Sequence, residues 1–205
     1  MNYETIGICY ATGATGTYLE YIGNVFLIPR IPFHNPFTLN GSSHGSIYSD
    51  DKIFWSGHFY LDPIQSPGRQ FKFIDRPHKM VWIRVDEKDY DKFKLVKKYK
   101  VTSFAQEILP ELQHGPVEIT KHTTKIINDY CEQPYDLSFN EQQAWAKNNS
   151  PFIFNWRQFF SEDTFFAELK KLCCFCEIKF KPTKQLVSIH KDFLSRHSYV
   201  QFRQL

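Results

Sequence analysis

The run Thr5-Ile6-Gly7-Ile8-Cys9-Tyr10 is short and apolar, and it gives way within a few residues to a helical pattern. The residues between, Ala11 to Thr17, are small and punctuated by glycine. From Thr17 onward Leu19, Ile22, Val25 and Phe26 recur at helical spacing, until Pro29. A short apolar run reads as a buried strand. Proline stops a helix because it has no N–H to donate and its ring crowds the preceding turn. The first thirty residues therefore read strand, tight loop, helix.

The rest of the chain continues that alternation. Ile53-Phe54-Trp55 and the residues after it predict a second strand ending near His58, and residues 79–85 a central third strand. Asp86 stands where a helix N-cap would, with Asp89 after it and Lys97, Lys98 and Lys100 toward the far end, a charge order that complements a helix dipole. Further helices are expected over 102–112, 117–131 and 139–148. Residues 152–156 predict a late strand. Ser161 then opens a helix with Glu162 and Asp163 in its first turn and Phe165, Phe166, Leu169, Leu172 and Cys173 on one face. A last helix runs from Lys184 to His197. Residues 30–51, rich in Pro, Asn, Gly and Ser, predict a long loop of the kind that covers a site. Strands separated by helices favour a mainly parallel sheet with helices on both faces. The expectation is one three-layer α/β domain over 1–205, with an additional helical segment at 102–150.

Composition agrees with a packed domain. Of 205 residues, 42% are hydrophobic, including 20 Phe and 11 Tyr, which is enough apolar surface to offset the entropy of ordering the chain. The formal net charge is only +3, which suits a small anionic ligand and argues against nucleic acid as a partner. The opening Met1-Asn2-Tyr3-Glu4 lacks the basic region of an export signal, and no apolar run is long enough to span a bilayer. With the odd count of five cysteines, these features predict reduced thiols and a cytoplasmic location, without membrane attachment.

The chemistry is concentrated in Tyr10-Ala11-Thr12-Gly13-Ala14-Thr15-Gly16-Thr17-Tyr18-Leu19. A loop from a strand into a helix N-terminus presents backbone N–H groups at the positive end of the helix dipole, and so suits an anion. Gly13 and Gly16 permit a tight turn and close approach, and Thr15 and Thr17 offer hydroxyls. A Walker A loop requires a lysine after its last glycine, whereas here Thr17 follows Gly16 directly, which disfavours a classical ATPase or kinase.

Thr15-Gly16-Thr17-Tyr18-Leu19, behind the strand that contains Cys9, resembles the 5′-phosphosulfate loop of sulfotransferases. Val81-Trp82-Ile83-Arg84-Val85-Asp86 is similar to the strand that delivers an arginine to the donor's 3′-phosphate in that family. Phe154-Asn155-Trp156 and the acid-capped helix after Ser161 resemble its late strand–helix segment. The resemblance spans residues 5 to about 176 through the order and spacing of these anchors. It implies a P-loop-like fold, 3′-phosphoadenosine 5′-phosphosulfate as donor, and a small-molecule or glycan acceptor bearing a hydroxyl or amine. It also implies that Gly13, Ala14, Thr15, Gly16, Thr17 and Tyr18 cradle the 5′-phosphosulfate and that Arg84 holds the 3′-phosphate. Two departures stand out. Ala14 occupies the place of the family's loop lysine or arginine. The serine expected after the arginine has no clean counterpart, leaving Lys94, Lys97 or Lys98 as substitutes.

His58, at the carboxyl end of the second strand, is the candidate general base, because ligands of open α/β sheets bind at those ends. His44 on the long loop is a rival. Cys173-Cys174-Phe175-Cys176 has no second ligand pair at zinc-like spacing and reads as small residues on the buried side of a helix end, so no metal site is expected. Two alternatives to sulfuryl transfer remain: a binding or assembly module that has lost the chemistry and engages a protein partner, and an atypical nucleotide phosphotransferase.

Overall fold

The computed structural model describes residues 5–11, 14–37, 51–58, 79–94, 96–97 and 139–197. Four strands, β1 (Ile6–Tyr10), β2 (Phe54–His58), β3 (Lys79–Arg84) and β4 (Phe152–Asn155), form one parallel sheet in the order β2-β1-β3-β4. The helices are α1 (Gly16–Ile22), α2 (Phe139–Asn149), α3 (Glu162–Phe175) and α4 (Lys184–Arg196), with further helical backbone at 90–94 and 96–97. The protein is therefore of the α/β class, as its alternating pattern predicts. The expected helices at 102–112 and 117–131 and most of the loop at 30–51 lie outside the described residues.

The strand order explains the layering. From β1 to β2 the chain steps one way across the sheet, and from β3 to β4 it steps the other way. Parallel crossovers are almost invariably right-handed, so opposite steps send their helices to opposite faces. Accordingly α1 packs on β1 and β2 on one face, while α2 lies on the other, where Trp145 and Ala146 cover Cys9 and Trp82. Both strands alternate to match. Ile8, Tyr10, Val81 and Ile83 face the larger core with α1, α3 and α4, and Cys9 and Trp82, paired in register, face α2.

The larger core is aromatic. Tyr18 of α1 stacks on Phe193 of α4 with centroids 4.4 Å apart, and Phe165 of α3 stacks on His190 at 3.8 Å. Phe154 of β4 meets Phe159 at 4.6 Å. Such pairs add about 0.5–1.5 kcal/mol each beyond the area they bury. Of the face predicted for α3, Phe165, Leu169, Leu172 and Cys173 are buried and Phe166 is half-buried.

Several boundaries differ from expectation for local reasons. Helix α1 begins at Gly16 and widens after Ile22 into a π turn, Gly23–Leu27, closed by Ile28 N–H donating to the Gly23 carbonyl at 2.9 Å. A Cβ at Gly23 would stand 2.3 Å from the Phe54 ring, so only glycine lets the helix lie this close to β2. Asp86 does not cap a helix with its side chain; a 3-10 turn, Glu87–Asp89, intervenes before the helical backbone at 90. Trp156 leaves β4 for a 3-10 turn, Trp156–Phe160, opened by a capping box between Asn155 and Gln158. Among the described residues no helix is long and apolar enough to cross a membrane.

Candidate functional site

The carboxyl ends of all four strands form one edge of the sheet. β1 ends at Tyr10, in register with His58 of β2 and Ile83 of β3, and Arg84 is in register with Asn155 of β4. Arg84 thus stands one residue past Tyr10, level with the start of the loop at Ala11, on a strand about 4.8 Å away. The connections from β1 and β3 diverge between these two strands, and open α/β sheets bind ligands at such a point. The fold therefore brings the loop after β1, Arg84 and the backbone of His58 to a single edge. The side chain of His58, and residues Gly13, His44 and Lys98, lie outside the described residues.

The described loop residues, 14–17, are held by their own neighbours. Ala14 is fully buried, and its N–H donates to the Ala11 carbonyl at 2.9 Å. Thr15 sits in the left-handed region at φ 63°, and its buried hydroxyl donates to the Ala14 carbonyl at 2.5 Å. The Thr15 carbonyl accepts from the N–H groups of Tyr18 and Leu19 at 3.1 and 3.2 Å, closing the first turn of α1. Gly16 gives its space to Tyr10, since a Cβ there would fall 2.1 Å from the ring. Thr17 is half-buried on the first turn of α1. The Tyr18 side chain points away from the edge into the core, where its hydroxyl meets His190 Nδ1 at 3.2 Å. Burial raises the Tyr18 hydroxyl well above the usual phenol range. The side chains of Ala14, Thr15 and Tyr18 are thus turned to the protein itself.

Arg84 presents the opposite case. It leaves β3 on the same side as Trp82, and its guanidinium carbon lies 6.0 Å from that ring. Nε donates to Asp86 Oδ1 at 2.8 Å. The other oxygen of Asp86 accepts from Asn155 Nδ2. Among the described residues the two terminal nitrogens of Arg84 have no hydrogen-bond or ion-pair partner, and the side chain is about a third exposed (29%). Nearby, Arg157 Nη1 approaches the buried Asp89 Oδ1 at 3.9 Å. Lys94 is exposed with its ammonium 4.8 Å from the Tyr90 ring, and Lys97 is buried.

Sequence reasoning missed the polar clamp that fixes α1 to β2. Glu20 is buried on α1, and its carboxylate pairs with Lys52 Nζ at 2.6 Å and accepts from the Ser56 N–H at 3.1 Å and from the Ser56 hydroxyl. One turn on, buried Asn24 is wholly occupied by backbone groups of Glu20, Ile53 and Phe54. No spacing rule links positions 20 and 24 to 52–56, because the pairing exists only once the strand has folded back beside the helix.

The cysteine cluster behaves as small core residues. Cys173 and Cys176 are buried, which pushes both thiols up to about 12, while Cys174 is exposed. Among the described residues no three His, Cys, Asp or Glu side chains group as metal ligands would.

A scan against protein-family models gives no match, and neither curated proteins nor solved structures contain one that matches the chain.

Proposed function

We propose that the protein binds a nucleotide of the 3′-phosphoadenosine 5′-phosphosulfate kind at the carboxyl edge of its sheet and transfers the sulfuryl group to a hydroxyl or amine. The observation that carries this reading is the placement of Arg84: at the end of β3, beside the loop that follows β1, with both terminal nitrogens uncommitted among the described residues. A guanidinium in that state suits two oxygens of one phosphate. The backbone of residues 13–17 would face the 5′-phosphosulfate, adding N–H donors other than that of Ala14, which the Ala11 carbonyl already takes, at the positive end of α1. Sulfuryl transfer, like phosphoryl transfer, depends on positioning and on stabilising charge at the oxygens. The donor would supply the sulfuryl group; the chain would hold its phosphates and take the acceptor's proton, with His58 at the end of β2 as the candidate base.

A second reading keeps the nucleotide and drops the transfer. Ala14 stands where sulfotransferases carry a loop cation, and it is fully buried. Without that cation the leaving phosphate loses stabilisation, and the fold would serve as a binding or assembly module.

Calorimetric titration with adenosine 3′,5′-bisphosphate, with ATP–magnesium as comparison, tests both readings. Micromolar binding of the bisphosphate, weakened roughly tenfold or more by Arg84→Ala, is the expected result. A sulfuryl-transfer assay then separates enzyme from module. Selective binding of ATP–magnesium points to a phosphotransferase instead, and binding of neither overturns the nucleotide site.

A further inference from the structure

The arginine at the sheet edge is itself held by a chain of contacts that runs from Asp86 through Asn155 to a helix of the core. Asp86 occupies the position of a helix cap, yet its side chain makes no capping bond. Both its oxygens are spent elsewhere, one on Arg84 Nε and one on Asn155 Nδ2. The orientation of the Asn155 amide is fixed independently. Its Oδ1 accepts from the Arg157 N–H at 3.0 Å, which turns Nδ2 toward Asp86. The Asn155 N–H donates to Gln158 Oε1 at 3.0 Å, and Gln158 Nε2 donates to Glu168 Oε2 on α3 at 3.0 Å. Asp86 is thus braced through β4 against a helix of the core.

We propose that Asp86, braced by Asn155, is the positioning residue of the anion site: it holds Arg84 through Nε and leaves the two terminal nitrogens as a fixed fork for a phosphate. The proposal rests on the reading of this edge as a nucleotide site. Its logic is preorganisation. A free arginine loses much rotamer freedom on binding, whereas one tied at Nε beside the Trp82 ring has already lost it. The carboxylate carries a cost as well, since a negative charge next to an anion site lowers its attraction for anions. Geometry and charge therefore predict opposite signs for removal of Asp86, and that opposition makes the role measurable.

The test compares full-length wild type with Asp86→Ala and Asp86→Asn, each checked for native circular dichroism, by titration with adenosine 3′,5′-bisphosphate. Positioning predicts that Asp86→Ala binds roughly tenfold more weakly despite its added positive charge. Asp86→Asn, which keeps an acceptor for Nε, falls between the two. If Asp86→Ala binds as tightly as wild type or more tightly, the positioning role is overturned and the nucleotide site stands. The ligand-free protein gives a second readout. The Arg84 Nε–H resonance, identified by its loss in Arg84→Lys, should exchange slowly with water in wild type and rapidly in Asp86→Ala. Rapid exchange in wild type overturns the proposal whatever binds. Slow exchange in a wild type that binds no bisphosphate removes the nucleotide reading, and the positioning role with it, while leaving the ion pair established.

Discussion

The side chain of Asn24 engages both backbone groups of Phe54: Nδ2 donates to the Phe54 carbonyl at 2.8 Å, and the Phe54 N–H donates to Oδ1 at 3.1 Å. One amide thus does for β2 at this residue what a neighbouring strand would do. Ile53 N–H donates to the same Oδ1 at 2.9 Å, and Asn24 itself is fully buried. Replacing it with leucine leaves three backbone groups of residues 53 and 54 buried without these partners. At about 1–3 kcal/mol for each buried group left unsatisfied, Asn24→Leu is expected to destabilise the protein by at least about 3 kcal/mol. Urea unfolding followed by circular dichroism measures this, and an unchanged midpoint would show that the amide is dispensable.

His190 makes stability depend on pH. It is fully buried between Phe165 and Phe193, and burial lowers its pKa from 6.5 to about 3, opposed in part by the Ser161 backbone. The unfolded chain therefore binds a proton that the native state refuses between pH 6.5 and about 3. Stability is complete above pH 6.5 and falls as the pH drops through that window, by about 5 kcal/mol if the fold survives to its lower end. Melting temperatures taken from pH 7.5 to 4 should decline in wild type and decline less steeply in His190→Gln. Parallel curves for the two proteins would assign the acid sensitivity to other groups.

Gly16 is required by a ring and not by its own backbone. Alanine is the better helix former by about 1 kcal/mol, so propensity alone predicts that Gly16→Ala stabilises α1. Its Cβ, however, would lie 2.1 Å from the Tyr10 ring, which is itself buried. Overpacking of this kind costs about 1–3 kcal/mol, and we expect net destabilisation. Thermal melts in a double-mutant cycle with Tyr10→Ser decide the matter, because Gly16→Ala should cost clearly less when the ring is already absent than it does in wild type.

Thr15 gives the reverse case. A β-branched residue at φ 63° pays for a conformation that glycine adopts freely, and its hydroxyl bonds only within the loop, to the Ala14 carbonyl. Thr15→Gly is expected to raise stability by roughly 0.5–1 kcal/mol and to leave bisphosphate affinity within about twofold. A large loss of affinity in the titration would show that the hydroxyl turns to the ligand.

How much of this was legible in the sequence follows from the range of each signal. The strand–loop–helix at 5–28, the strand at Lys79–Arg84 and the amphipathic α3 rest on local runs and periods, and all three are where the pattern placed them. The edge shared by the loop and Arg84 follows from strand order, which the alternation of strands and helices suggests but does not fix. The roles of Tyr18, Glu20 and Asn24 were not legible. Each is decided by a partner far along the chain, and tyrosine on the first turn after a glycine-rich loop reads the same whether it faces a ligand or the core. Asp86 was read from its position as a helix cap, while its side chain answers instead to Arg84 and Asn155, one of them 69 residues away.

The aromatic core has a further consequence, for synthesis. Tyr18 waits for His190, 172 residues downstream, and for Phe193 on the same helix, α4. At ribosomal speed the interval is roughly ten to thirty seconds. Until α4 is made, the Tyr18 side chain lacks the Phe193 ring and the His190 imidazole that it packs against in the fold. Contacts of such long range also make folding slow once the chain is free. Expression yield of this protein should therefore respond more to holdase chaperones and to growth temperature than its native stability would suggest.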